Sequence, residues 1–409
     1  MRTVFSGGQV FDARGRTVAE ADVAIEDGRI VDVGHHLDGD RSVDATGRTL
    51  LPGLFDCHVH IAARHIDVWR LLQTPLSYRF FETARSLQET LRAGITTIRD
   101  AGGADLGMKR ALEDGLISGP RLQISVVMLS QTGGHGDPWL PSGAEAPLIP
   151  TYPGMPSGVV DGPAEIRRKV RELIRDGADV IKVASSGGVL SSRDDPRHPQ
   201  FRPDELEVMV TEAAAAGRWV MAHAQSTIGI KNAVRAGVRS IEHGIYLDDE
   251  AIDLMLHRGT FLVPTLVAVQ GVIDAAAAGA QIPEPSLRKA REVKEAHSES
   301  FRRALAAGVR IAMGTDSPIT PHGRNLRELA LMADQGMAAP EALAAATHTA
   351  AELLGLQDEL GSIEAGKRAD LVLVSGDPLQ LATLGEHVEA VWKDGVEVSR
   401  GRLASPSAA

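Results

Sequence analysis

Arg235-Ala236-Gly237-Val238-Arg239-Ser240-Ile241-Glu242-His243 carries the pattern that decides the fold. A helix-like stretch ends in a small residue and a glycine, a short strand runs over Val238–Ile241, and a polar residue, His243, stands after it. Glycine suits that turn because the residue just past a helix commonly takes the left-handed conformation. The same grammar recurs: Arg92-Ala93-Gly94 before Ile95–Arg99, Arg175-Asp176-Gly177 before Asp179–Val183, and Ala215-Ala216-Gly217 before Trp219–Ala222. It continues with His257-Arg258-Gly259 before Thr260–Pro264 and Ala306-Ala307-Gly308 before Val309–Met313. Strands alternating with helices imply parallel βαβ units. Adding Leu50–Phe55 and Arg121–Leu129 gives the eight strands that close an α/β fold of the (β/α)8 TIM-barrel type. The competing architecture is an open doubly wound sheet. Polar residues end nearly every strand and no dinucleotide glycine fingerprint appears, which favours the barrel.

Outside this centre the chain reads as short strands and turns. Thr3–Phe5, Val10–Phe11, Asp22–Ile25, Arg29–Val33 and Arg41–Asp44 precede it, with Glu26-Asp27-Gly28 as a hairpin signal. Ala369–Val374, Val388–Lys393 and Val396–Val398 follow it, the last two joined by Asp394-Gly395. Two β-rich ends most simply pair with each other. The expected organisation is a small accessory β-sandwich domain from 1–50 plus 362–409, bracketing a hydrolase barrel over 51–361.

The chain has 409 residues, enough for one barrel and an accessory domain. Its 43 basic and 54 acidic residues give a net charge of −11 with no basic stripe, which argues against a nucleic-acid partner. Cys57 is the single cysteine, so no intramolecular disulfide can form. No apolar run is long enough for a signal peptide or a membrane span, so no membrane partner and a cytoplasmic location are expected.

In a barrel of this type the site lies at the C-terminal ends of the strands. Reading those ends gives His58 and His60 after the first strand, Lys182 in the fourth, His223 after the fifth, His243 after the sixth and Asp316 after the eighth. His58 and His60, two apart in an extended segment, leave one face together. Singly, each residue reads equally well as a hydrogen-bonded strand end, a helix cap or a snorkelling lysine. Together, at corresponding points of successive strands, they describe a metal centre. Two divalent ions need ligands from several directions and a negative bridge to screen their repulsion. Four neutral imidazoles and one aspartate do not supply that bridge. A lysine ammonium would add repulsion, but a neutral lysine amine that captures CO2 becomes a bridging carbamate. Burial beside cations lowers a lysine pKa and favours that chemistry.

With these residues in place the chain resembles the metal-dependent amidohydrolase superfamily in its binuclear, carboxylated-lysine form. His58-x-His60, Lys182, His223, His243 and Asp316 carry the likeness, and Gly366-Lys367-Arg368-Ala369-Asp370-Leu371-Val372 resembles the return into the accessory domain. Three loops resemble the branch of Xaa-Pro dipeptidases, Lys/Arg carboxypeptidases and ochratoxin-type N-acyl amino acid hydrolases. They are Thr132–Asp137, Ser185–Val189, and Gly314-Thr315-Asp316 followed by His322-Gly323-x-Asn325. The resemblance implies His58, His60, Lys182 and Asp316 around one ion, and Lys182, His223 and His243 around the other. Zinc is the expected metal for such ligands. It further implies a metal-bridging hydroxide as nucleophile, with Asp316 as the acid–base that serves the leaving amine.

The substrate expected from this likeness is a small amide or peptide, cleaved as by a dipeptidase or carboxypeptidase. A cyclic-amide hydrolase of the imidazolonepropionase type is the alternative; a non-catalytic barrel would lack the ligand set. His135, on a glycine-rich loop, is the candidate for holding an α-carboxylate or polarising the carbonyl, with Tyr246 and His322 as further substrate contacts. Asp56 is a candidate partner of His58. Asp194 and Asp195 are candidates for receiving a basic side chain. Pro138–Pro163 and Ser191–Pro203 read as long loops over the site, His297 as an ordinary helix position, and self-association as a property of the branch.

Overall fold

A computed structural model describes residues 1–191 and 193–398. The final residues of the expected accessory segment, 399–409, lie outside the described residues. The six glycines that follow helix-like stretches (Gly94, Gly177, Gly217, Gly237, Gly259 and Gly308) all have positive φ, between 65° and 98°. Each ends a helix by the left-handed turn that only glycine takes without strain.

The central strands form two parallel sheets. One has the order Arg121–Ile124, Ile95–Asp100, Leu54–Val59; the other runs Met128–Leu129, Val180–Ala184, Trp219–Ala224, Ser240–His243, Phe261–Val263. The strand expected over Arg121–Leu129 is thus two strands, one in each sheet, broken where Val126 takes φ 66°. A β-branched residue there is an outlier that the surroundings must hold. At the opposite edges the segment Arg310–Ser317 touches both sheets. Leu262 N–H donates to Arg310 O (2.9 Å), Cys57 N–H to Met313 O (2.9 Å) and His60 N–H to Ser317 O (2.6 Å). The strand expected over Val309–Met313 is present only as the single bridge of Ile311 to Leu262 and these bonds.

The stretch expected as one strand over Leu50–Phe55 is also two. Arg48–Pro52 pairs with Leu371–Ser375 and with Gln9–Asp12, in a six-stranded sheet built from both ends of the chain. Leu54–Val59 belongs to the central sheet instead. Gly53 makes the crossing: its N–H donates to Asp370 O at 2.7 Å, and a Cβ there would lie 2.2 Å from Thr96 Oγ1. The sheet also contains Thr17–Glu20, which the sequence reading passed over. A second, four-stranded sheet holds Thr3–Ser6, Asp22–Glu26, Arg29–Gly34 and Arg41–Asp44. The two sheets share a buried cluster that includes Phe5, Val23, Ile30, Leu50, Leu371 and Trp392, with the Phe5 and Trp392 rings edge to face at 4.8 Å. Among the described residues no helix is long and apolar enough to cross a membrane.

Candidate metal centre and substrate cavity

The strand ends bring the expected ligands together. His58 is the penultimate residue of Leu54–Val59, Lys182 lies inside Val180–Ala184, His223 inside Trp219–Ala224, and His243 ends Ser240–His243. His60 and Asp316 stand on the connecting segments, Asp316 at φ 58°. Asp316 Oδ1 lies 3.3 Å from His58 Nε2 and 3.2 Å from His60 Nε2. These three side chains offer ligand atoms all within 4.8 Å of one another. Lys182 Nζ is 3.4 Å from His58 Nε2. The His58 and His243 ring centres are 5.1 Å apart, and those of His223 and His243 4.6 Å.

Each imidazole has one nitrogen occupied by the protein. His58 Nδ1 meets Glu242 Oε2 at 2.7 Å and His60 Nδ1 meets Gly102 O at 2.8 Å. His223 Nε2 meets Gly187 O at 3.2 Å, and His243 Nδ1 meets Thr265 Oγ1 at 2.7 Å. Carboxylate and carbonyl oxygens only accept, so in the first three rings the occupied nitrogen carries the hydrogen. A neutral ring then keeps a lone pair on its other nitrogen. Second partners that fix a tautomer in this way are what metal-binding histidines require.

The charges divide the set: burial would lower His60, but the hydrogen bond and charge of Asp316, with Asp100, raise it. Burial pushes His223 and His243 well below the usual imidazole range, so both are neutral. Burial would raise the carboxyl of Asp316, but the charge and hydrogen bond of His58, with His60, hold it well below the usual carboxylate range. Lys182 is buried and makes no ion pair among the described residues. Burial, aided by the Arg99 charge and opposed by Glu242 and Asp316, brings its amine down to about 8.

Two residues that the sequence reading did not single out hold His58. Glu242 and Arg99 are fully buried and paired, with Arg99 Nη2 2.9 Å from Glu242 Oε1 and Arg99 Nε donating to Cys57 O at 2.7 Å. Alternation along Ser240–His243 already placed Glu242 on a strand beside His243, and that was the available signal. Asp56, the expected partner of His58, holds the backbone instead. It accepts from the N–H groups of His58 and Thr315 (both 3.1 Å) and from Asn325 Nδ2 (2.7 Å). His297, read as an ordinary helix position, is buried and lines the cavity. Its Nε2 reaches Pro264 O (2.8 Å) and His243 O (3.0 Å), bracing the backbone of His243.

The ligand cluster opens into a cavity of about 610 Å³, walled by Ile66, Val127, Leu148, Ile149, Val189 and Val269 among others. Residues of both long loops, Pro138–Pro163 and Ser191–Pro203, contribute to its wall. His135 lines it too, its ring stacked on His223 with centres 4.3 Å apart. Tyr246 and His322 are not among the described residues lining it. Tyr246 packs against the apolar cluster of Val189 and Ile245, and His322 Nε2 bonds Ala63 O at 2.8 Å away from the cavity. Asp194 faces His135 and Lys289, and Asp195 pairs with Arg197, so neither aspartate awaits a basic ligand.

His322 makes a stability prediction. Burial, opposed by its bond to Ala63 O, lowers its pKa to about 4 from an ordinary 6.5. The unfolded chain therefore binds the extra proton first. Stability is full above about pH 6.5 and falls toward pH 4, by up to about 3 kcal/mol from this group. Urea unfolding of His322→Gln should show a flatter loss between those pH values than the parent; an equal slope would contradict the assignment.

Comparison with known proteins agrees with this geometry. Residues 49–398 match the model of the amidohydrolase family. The chain belongs to the amidohydrolase family. Ochratoxinase of Aspergillus niger is 36% identical over 415 residues, covering 96% of this chain and 86% of its own. A Xaa-Pro dipeptidase structure with bound methionine in its active site is 35% identical with a TM-score of 0.88, covering 97% of this chain and 100% of its own. A prolidase complexed with N-methylphosphonate-L-proline is 37% identical with a TM-score of 0.88, covering 98% and 100%. This amidohydrolase therefore lies in the branch of ochratoxinase and dipeptidase structures, with a TIM-barrel-type fold, and is a hydrolase of amide or peptide C–N bonds. The family is typically metal-dependent, and the His58-His60-Asp316 cluster suits that chemistry.

Proposed function

We propose that this amidohydrolase is a binuclear metalloenzyme that cleaves the amide bond of a dipeptide or an N-acyl amino acid. The observation that carries the reading is the donor set. Four neighbouring imidazoles each have one nitrogen held by a protein oxygen, beside the ionised Asp316 and a buried Lys182 that makes no ion pair among the described residues. His58, His60, Lys182 and Asp316 would hold one ion, and Lys182, His223 and His243 the other. Imidazole and carboxylate donors suit zinc. The Lys182 amine would add to CO2, releasing a proton and leaving a carbamate that bridges. Bound there, the ions supply an acidified water and a polarised scissile carbonyl.

The protein's own groups do the rest. Asp316 takes the proton of the attacking water and passes it to the departing amine nitrogen, a role worth about 10²–10⁴-fold. His135 holds the α-carboxylate of the substrate from the cavity wall. The apolar part of the wall excludes water from the acyl or side-chain group and supplies binding by burial. Ochratoxinase and the dipeptidase and prolidase structures, similar along nearly the whole chain, support substrates of this class.

The architecture belongs to the same reading. The bonds of Arg310–Ser317 to both sheets support closure of an eight-stranded (β/α)8 barrel over 51–361. The cluster shared by the two outer sheets supports a β-sandwich domain from 1–50 and the segment after 362. Self-association in the manner expected of the branch completes the proposal.

The test is turnover of Xaa-Pro, Xaa-Arg and Xaa-Lys dipeptides and N-acyl-phenylalanine by protein whose metal content has been measured. Close to two transition-metal ions per chain and hydrolysis of a dipeptide or N-acyl amino acid are expected. One ion or none after metal supplementation would sink the binuclear centre. Reaction with a cyclic amide alone would replace the substrate class.

A further inference from the structure

Asp194 and Lys289 form a buried pair that the reaction outlined above does not use. Lys289 lies on the helix Glu284–Ala307. Its Nζ donates to the carbonyls of Gly188 (2.8 Å), Asp194 (2.6 Å) and Ser191, and stands 3.3 Å from Asp194 Oδ1. The side chains of Asp194 and Lys289 are only 6% and 8% exposed. Asp194 Oδ2 accepts from Gly188 N–H (3.2 Å) and Gln200 Nε2 (3.3 Å), and faces His135 Nδ1 at 3.3 Å. Gln200 Oε1 in turn accepts the backbone N–H of His135 at 3.0 Å.

The His135 ring is clamped on its two faces. His223 stacks on it, and Gly188 lies so close that a Cβ there would come within 2.2 Å of His135 Cε1. Stacking fixes the plane of the ring but not which edge points outward, because a half-turn exchanges Nδ1 with Cδ2. Only Asp194 distinguishes the two edges. The contact at 3.3 Å lies outside hydrogen-bond geometry, but the Asp194 charge beside Nδ1 favours the hydrogen on that nitrogen over the other edge. Lys289 already matches the charge of Asp194 and ties its backbone and side chain together.

We infer that Asp194, locked in place by Lys289, is the positioning residue that sets which edge of His135 meets the substrate. This rests on the reading of His135 as the group that holds the α-carboxylate. In Asp194→Asn the amide keeps the size of the side chain but offers the ring either a donor or an acceptor, so the edge is no longer specified.

The experiment compares the parent, Asp194→Asn, His135→Gln and the double variant, all metal-loaded, on N-acyl-L-phenylalanine and its carboxamide. Asp194→Asn should raise KM for the acid about tenfold or more, the scale of one charge-assisted hydrogen bond, with kcat changed by less than about threefold. KM for the carboxamide should not move, and the double variant should be no worse than His135→Gln. Equal losses on both substrates, or losses that multiply in the double variant, would overturn the inference. If Asp194→Asn does not fold, Lys289→Met serves: a smaller rise confined to the acid supports the inference, and an equal loss on both substrates rejects it. A second readout needs no turnover. In ¹⁵N-histidine spectra, with His135 signals assigned by their loss in His135→Gln, Asp194→Asn should shift them; unchanged signals would overturn the inference. Should the parent hydrolyse neither substrate, the same comparison is made on a dipeptide it turns over and on that dipeptide's C-terminal amide. Turnover of no dipeptide or N-acyl amino acid would sink the proposed function, and the spectra would still decide the positioning role.

Discussion

Lys182→Ala should lose about 10²–10³-fold or more of activity, the size of removing one preorganised electrostatic element, while folding normally. The side chain is buried, its Nζ stands 3.4 Å from an imidazole nitrogen of His58, and no carboxylate among the described residues pairs with it. As an ammonium it would be a buried charge that Glu242 and Asp316 offset only in part, which is costly. Burial first, and Arg99 second among the lowering influences, bring the amine to about 8 from an ordinary 10.5, which raises the neutral fraction that can add to CO2. On the proposed reading, removing it would take an anionic ligand from the metal-loaded protein and only a poorly compensated cation from the metal-free one. Stability of the metal-free variant should match or exceed the parent's, and short carboxylic acids such as acetate or propionate should restore part of the activity. Full activity in Lys182→Ala would end the argument for the carbamate.

The second large effect is on stability. Burial would raise the carboxyl of Glu242, but the charge of Arg99 and the bond from His58 bring it to about 2. Glu242→Ala leaves the fully buried Arg99 guanidinium without its counter-charge, which costs about 3–5 kcal/mol. It also frees the His58 ring to turn, lowering metal affinity about 10–100-fold. An exposed pair such as Arg302 with Glu299 should cost under about 1 kcal/mol when broken. Urea unfolding of Glu242→Ala, Arg302→Ala and Arg99→Met/Glu242→Leu tests the contrast. The double variant should recover much of the stability without recovering the metal affinity. A Glu242→Ala cost below about 1 kcal/mol would show that Arg99 finds another partner.

The residues proposed as ligands were legible because a place at a strand end is set locally. A histidine or lysine at a strand's C-terminal end is visible in the sequence, and the folded chain brings His58, His60 and Asp316 together. What the sequence hid was tertiary. Leu50–Phe55 reads as one apolar strand because both sheets bury such residues; only the contacts of Gly53 with Asp370 and Thr96 divide it. Glu242 and Arg99 looked like ordinary strand residues, since their pairing spans 143 positions. Tyr246 and His322 sat near ligands in sequence, yet the turns after their strands carry them into packing elsewhere. His297 was the reverse, remote in sequence and brought under His243 by its long helix.

The strand Arg48–Pro52 has a consequence for biosynthesis. It enters its sheet between Gln9–Asp12 and Leu371–Ser375, and the chain runs from it through Gly53 straight into His58. One of its two neighbours does not exist until the ribosome has made nearly the whole polypeptide. The strand that carries His58 therefore stays tethered to a half-built sheet throughout translation, and non-local pairing of this kind is slow. Final assembly of the catalytic pocket waits on the last strands to emerge, so truncation before Leu371 would remove an anchor of the active site without touching any residue in it.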